Sequence, residues 1–288
     1  MDSAKINQRD YSTISPSAKA LLLLKGHTNI PFAREAAGLM MRPEKYEPDF
    51  NFRDFMFWAR VIHFESRYWS IDQLLADLPI KNILELSSGF SFRGLKAIEQ
   101  DGVHYIDTDL PGVIETKAAF VNELKPSPNP NSKLEILPLN ALDEQAFMEI
   151  VNRFPANEPI VIVNEGLLMY LSTPEKEQLC RIIQKVLDER GGYWITADIY
   201  LKVRSRLSDM QPDDKLAKFF EQHHVREQMF DSFEQAEEFF NEQGFVIDKK
   251  AEPDAGKLST LPYFLQSASP KQLQALRSAP KIQQTWRM

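Results

Sequence analysis

Two acids at the ends of short apolar runs carry the first chemical signal in this chain. Asn82-Ile83-Leu84-Glu85-Leu86 runs into the small-residue stretch Ser87-Ser88-Gly89-Phe90-Ser91, and Tyr105-Ile106-Asp107-Thr108-Asp109 follows it. In an open α/β sheet, ligands bind beyond the carboxyl ends of the strands. A turn of small residues lets a ligand approach the backbone, and an acid at the next strand end accepts hydrogen bonds from a vicinal diol. Glu85, Ser87, Gly89 and Asp109 therefore read as the floor of a nucleoside-type cofactor site, with Asp109 on the ribose.

The surrounding pattern supplies the elements that would hold such a site. Strand-like runs occur at Asn82–Leu86, His104–Asp107, Leu134–Leu137, Ile160–Val163, Tyr193–Ala197, Phe245–Asp248 and Ile282–Trp286. Helical patterns separate several of them. One starts with Thr173 as N-cap and Pro174 at the first helical position, continues through Leu179, Ile182, Ile183, Val186 and Leu187, and stops at Gly191-Gly192. Another starts at Ser232, with Gln235 as a capping-box partner, and stops at Gly244. This alternation predicts an α/β fold with a doubly wound, mainly parallel, seven-stranded sheet. A single domain over 1–288 is expected, divided into a helical cap (1–80), a cofactor-binding half (81–200), a lid insertion (201–230) and the last part of the sheet (231–288). The aromatic set Phe50, Phe52, Phe55, Phe57, Trp58, Phe64, Tyr68 and Trp69 is expected to join the cap to the sheet.

Bulk properties narrow the partners. The 288 residues carry a net charge of −7, so there is no basic surplus to neutralise phosphates, and a nucleic-acid partner is disfavoured. The single cysteine, Cys180, excludes an internal disulfide and a cysteine-based zinc site, and it is expected to pack inside a helix. No His/Asp/Glu cluster has metal-ligand spacing. The apolar run Ala20–Leu24 is far too short to span a membrane, and Lys25-Gly26-His27 follows it in place of a cleavage site. The expectation is a cytoplasmic protein with no membrane partner. Oligomeric state is not legible in the sequence.

The turn chemistry selects among cofactors. A dinucleotide pyrophosphate calls for G-x-G-x-x-G, whose glycines let the backbone reach the phosphates at a helix N-terminus. In that frame the chain offers Ser87, Gly89 and Phe92, and Phe92 would crowd the close strand–helix contact. No Walker-type Gly-Lys-Ser/Thr loop is present. S-adenosylmethionine (SAM) carries no phosphate and presents a zwitterionic amino-acid end, which suits Glu85 and the backbone around Gly89 better. A nicotinamide-dependent oxidoreductase and a catalytically silent binding protein are the competing classes.

Three segments together resemble a known family. Glu85-Leu86-Ser87-Ser88-Gly89, Tyr105-Ile106-Asp107-Thr108-Asp109-Leu110-Pro111 and Asn164-Glu165-Gly166-Leu167-Leu168-Met169-Tyr170-Leu171 look like the leucine carboxyl methyltransferase family, over roughly Ser15 to Trp286. Ile14-Ser15-Pro16-Ser17-Ala18 and Ile30-Pro31-Phe32-Ala33 resemble its bacterial branch, which contains polyketide-type O-methyltransferases. The resemblance implies a Rossmann-like methyltransferase fold and SAM as methyl donor, with S-adenosylhomocysteine as product. It places Arg67 on the SAM carboxylate, Gly89 under the methionine portion, Asp109 on the ribose, Asn140 and Ala141 at the adenine, and Glu165 at the fourth strand end. The family's first turn usually reads Asn-Leu-Gly-Ala-Gly-x-Asp. Here Glu85, Ser87 and Ser91 stand where Asn, the first Gly and Asp are expected, and Asn140-Ala141 replaces an Asp-Leu pair.

The implied activity is O-methyl transfer to a carboxylate or hydroxyl of a small molecule; methylation of a protein carboxyl group is the alternative. A carboxylate acceptor needs no base, whereas a hydroxyl benefits from one. Candidate catalytic groups are Tyr170 and the pair His223 and His224 in the expected lid. Tyr11, Tyr68, Trp69 and Tyr200 are candidates for a substrate pocket, and Arg204 with Arg206 for clamping an acidic acceptor. His63, between Ile62 and Phe64, reads as a packing residue.

Overall fold

The computed structural model describes residues 15–51, 53–202 and 220–288. Tyr11, Phe52, Arg204, Arg206 and the greater part of the expected lid lie outside the described residues. Seven strands form one sheet: β1 (Asn82–Leu86), β2 (His104–Asp109), β3 (Lys133–Pro138), β4 (Ile160–Asn164), β5 (Gly192–Tyr200), β6 (Lys249–Lys250) and β7 (Gln283–Arg287). Their order is β3-β2-β1-β4-β5-β7-β6. β1 to β5 are parallel, and β7 runs antiparallel between β5 and β6. The chain winds outward from β1 to β3, returns to β4, and winds the other way. The reversal between β1 and β4 opens a crevice beyond their carboxyl ends.

β1 and β4 are buried along their whole length, which is why both read as unbroken apolar runs. Successive side chains point to opposite faces. Leu84, Leu86, Ile106, Ile162 and Trp194 share one core cluster with Phe147 of α6 (Glu144–Val151), Leu179 and Ile183 of α7 (Thr173–Arg190) and Phe240 of α8 (Phe233–Glu242). Ile83, Tyr105, Val161, Val163 and Ile195 share the other with Ile71 and Leu74 of α3 (Phe55–Ala76). Cys180 is buried in α7, where burial pushes its thiol up to about 12.

Three local expectations are corrected. The N-cap of α7 is Ser172, not Thr173: its N–H donates to the Glu175 carboxylate at 2.7 Å, closing the capping box one residue earlier and placing Pro174 inside the first turn. The run Phe245–Asp248 is not a strand. β7 meets this segment only from Arg287 backwards, so Phe245 packs into the core without ladder partners and the strand is confined to Lys249–Lys250. The aromatic set also divides. At 22 residues α3 is about 33 Å long, roughly twice the reach of β1, so its first half extends past the sheet. Trp58, Phe55 and Phe57 there pack with Phe50 and with Phe264 of α9 (Leu261–Ser267) instead of on strands. Buried Glu65 fixes that junction by accepting from the N–H groups of Ser259 (2.9 Å) and Thr260 (3.1 Å).

Candidate functional site

Beyond the carboxyl ends of β1, β2 and β4 lies a cavity bordered by helix α1 (Ser15–Lys25). Its floor is the turn Ser87–Ser91. Ser87 and Gly89 both adopt left-handed backbone, at φ 49° and 51°, on either side of Ser88. The glycine does so freely; the serine at a cost of about 1–2 kcal/mol. Hydrogen bonds hold the shape. The Ser88 N–H donates to the Thr108 carbonyl (2.9 Å) and the Ser91 N–H to the Ser88 carbonyl (2.9 Å). Asp109 accepts the Gly89 N–H on one oxygen (2.7 Å) and the Leu110 N–H on the other (2.7 Å). Burial raises its pKa against those two bonds. Asn140 and Ala141 line the same cavity, with Asn140 Oδ1 accepting from the Leu142 N–H at 3.1 Å.

The charged end of the cavity is built around Glu165. Its Oε1 accepts from Lys25 Nζ of α1 at 2.8 Å and from Arg67 Nη2 of α3 at 3.2 Å, while Arg93 Nη2 stands 3.8 Å from Oε2. Burial opposes ionisation of this carboxyl, but the charges of Lys25, Arg67 and Arg93 prevail and bring it down to about 2. Gly166 makes the approach possible: a Cβ there would lie 3.3 Å from Arg67 Nη2, at a residue whose φ is already +86°. Arg93 is matched separately by Asp72 (2.8 Å) and Glu85 (3.6 Å). Lys25 and Arg67 therefore face one carboxylate with two positive charges. Glu165 Oε2 and Arg67 Nε are buried with no hydrogen-bond partner.

Ser87, Gly89, Asp109, Asn140, Ala141, Arg67, Glu165 and Tyr170 are brought together around this cavity. Tyr170 is buried there with its hydroxyl bonded to Ser17 of α1. Glu85 is not among the lining residues. Strand alternation puts it on the same face as Ile83, Tyr105 and Asp107, beneath the turn, where it accepts the Tyr105 hydroxyl proton at 2.6 Å and faces Arg93. Tyr68 and Trp69 line a different groove between α3 and α4 (Arg93–Ala97), where Arg93 lies over the Tyr68 ring and Lys257 over that of Trp69. His223 and His224 do not line the cavity; His224 is exposed and pairs with Glu227 at 3.0 Å. Among the described residues of the expected lid, Phe220 does. Lys25 was missed in the sequence. It closes a contact across 140 positions, and the only signal was a cation ending an apolar helix.

Tyr200 also stands behind the wall. Its hydroxyl accepts from Arg67 Nη1 (2.9 Å) and shares a hydrogen bond with His63 Nε2 (2.7 Å), so it braces Arg67 and does not border the cavity. Burial, helped by the Arg67 charge, pushes His63 down from 6.5 to about 4. The unfolded chain thus takes up this proton first on acidification. The associated stability is complete above about pH 6.5 and is lost as pH falls to about 4. The unfolding free energy of the native protein minus that of His63→Gln should therefore fall by about 3 kcal/mol between pH 7 and pH 4. Urea titrations at each pH measure it; a pH-independent difference would contradict a buried imidazole held neutral.

Comparison with known proteins bears on the family and the fold. The sequence profile of the leucine carboxyl methyltransferase family matches residues 16–184. A protein of Mycolicibacterium smegmatis, provisionally named an S-adenosyl-L-methionine-dependent methyltransferase, is 25% identical over 121 residues. That match covers 42% of this chain and 39% of the relative, so the chain spans less than half of the curated protein it resembles. Among solved structures, a DUF574 family protein from Streptomyces avermitilis superposes with a TM-score of 0.55 at 13% identity, over 94% of this chain and 95% of that one. It shares the fold.

Proposed function

This chain belongs to the leucine carboxyl methyltransferase family, and from that premise we propose that it is a SAM-dependent O-methyltransferase acting on a carboxylate or hydroxyl of a small molecule. One observation carries the reading. At the charged end of the cavity Lys25 and Arg67 converge on the single carboxylate of Glu165, and an acid flanked by two cations complements the ammonium and carboxylate of an α-amino acid. Arg67 and Lys25 would hold the carboxylate of SAM, Glu165 its ammonium, Asp109 the ribose hydroxyls and Asn140 the adenine edge. The turn at Gly89 would lie under the methionine chain.

When bound, SAM supplies a methyl group already activated on a positively charged sulfur. The chain's own contribution is then orientation and exclusion of water. Phe64, Met169, Tyr170 and Phe220 give the cavity an apolar wall suited to both. No histidine is among the described residues that line it. Its two acids are already engaged, Asp109 by backbone N–H groups and Glu165 by cations. This lining favours an acceptor that arrives ionised, a carboxylate over a neutral alcohol.

The test is transfer of a radiolabelled methyl group from SAM into matched panels of small carboxylic acids and phenols. Base-labile label, released as methanol, is expected from the acid panel. Label confined to phenols would refute the carboxylate preference. No transfer to any acceptor from protein that binds S-adenosylhomocysteine would favour the silent-binding alternative.

A further inference from the structure

Directly beneath the cofactor-facing turn sits an ion pair with no access to solvent. Lys117 of α5 (Pro111–Leu124) and Asp107 of β2 have fully buried side chains, with Nζ and Oδ1 3.0 Å apart. A pair of this kind is weak evidence of stabilisation, because apolar side chains of equal volume serve the core as well or better. Its geometry shows another use. Lys117 Nζ donates a hydrogen bond to Ser88 Oγ at 2.8 Å, and Ser88 borders the cavity between the two left-handed residues. The Ser88 backbone is already committed to Thr108 and Ser91, so its hydroxyl is the remaining handle on the turn. Space for the acid is reserved from the next helix: a Cβ on Gly94 would lie 3.1 Å from Asp107 Oδ2 and 2.8 Å from Tyr105 Cδ1.

We propose that Lys117, seated on Asp107, is a positioning residue that clamps the strained Ser87–Gly89 turn in its cofactor-binding shape through the Ser88 hydroxyl. The proposal rests on the reading of this cavity as the SAM site. Lys117 touches no ligand itself. It acts from below, while Asp109 ties the same turn from the side. The buried charge serves here as a rigid, charge-assisted donor.

The test is calorimetric titration with S-adenosylhomocysteine of three variants: Ser88→Ala, the charge-neutral pair Asp107→Asn with Lys117→Met, and all three changes together. Ser88→Ala removes only the hydroxyl and is expected to raise Kd roughly ten-fold, the equivalent of one charge-assisted hydrogen bond. The neutral pair should raise it by a similar factor. The triple variant should lose no more than the neutral pair, because both act through one bond. A purely structural role would lower the urea midpoint yet leave the Kd of folded protein unchanged, and that result would overturn the clamp. Additive losses in the triple variant would also overturn it. Failure of the native protein to bind S-adenosylhomocysteine would instead overturn the reading of the cavity, and the clamp's role with it.

Discussion

Replacing Asp109 by alanine should weaken S-adenosylhomocysteine binding about 100-fold in a protein that still folds. A hydrogen bond to a charged acceptor contributes about 1.5–3 kcal/mol, and 1.4 kcal/mol is a factor of ten. A ribose diol offers two such bonds, only partly compensated by water in the variant. The same carboxylate also holds the Gly89 and Leu110 N–H groups, so the turn loses a tie as well. Asp109→Asn keeps one acceptor oxygen and should lose only about ten-fold on the same scale. Calorimetry distinguishes the two. Equal affinity for native protein and the alanine variant would remove the ribose from this strand end.

The second large effect is on stability. Asp198 of β5 is buried, and its carboxylate accepts from the N–H groups of Gly166 (2.7 Å), Leu167 (2.7 Å) and Leu168 (3.1 Å) and from Asn164 Nδ2 (2.7 Å). These bonds shape the loop that aims Glu165 at Lys25 and Arg67. Asp198→Ala leaves all four donors without that acceptor, and each unsatisfied buried donor costs about 1–3 kcal/mol. Allowing for local relaxation, unfolding by urea should show a loss on the order of 4 kcal/mol. Asp198→Asn, with one acceptor oxygen left, should fall between the two. A loss below about 1 kcal/mol for alanine would mean that the loop finds other partners.

The elements were more legible than their company. β1 and β4 announced themselves as short apolar runs because parallel interior strands are buried on both faces. The strand order followed only in outline, since pairing is decided by crossovers that no local pattern records. Glu85 and Asp109 show the limit most clearly. Both are acids near strand ends, yet Asp109 ends its strand and borders the cavity, whereas Glu85 stands one residue before the end of β1 and turns beneath the turn toward Arg93 and Tyr105. The register pairs Glu85 with Asp107, so Asp109 reaches two residues further along the same face, to the level of the turn. Asp198 had a readable signal that went unused: an acid inside Ile195-Thr196-Ala197-Asp198-Ile199-Tyr200 is almost never buried without strong partners. Lys117 had none and Lys25 only a cation ending an apolar helix, because their partners lie on other elements of the fold.

The central claim is that the cavity at the β1/β4 crevice takes SAM. Calorimetric titration of the native protein with S-adenosylhomocysteine, and with NADH as the contrasting ligand, tests it most directly. Micromolar binding of the first at one site per chain, and none of the second, is the predicted result. No binding of S-adenosylhomocysteine to protein shown to be folded, or binding of NADH in its place, would contradict it.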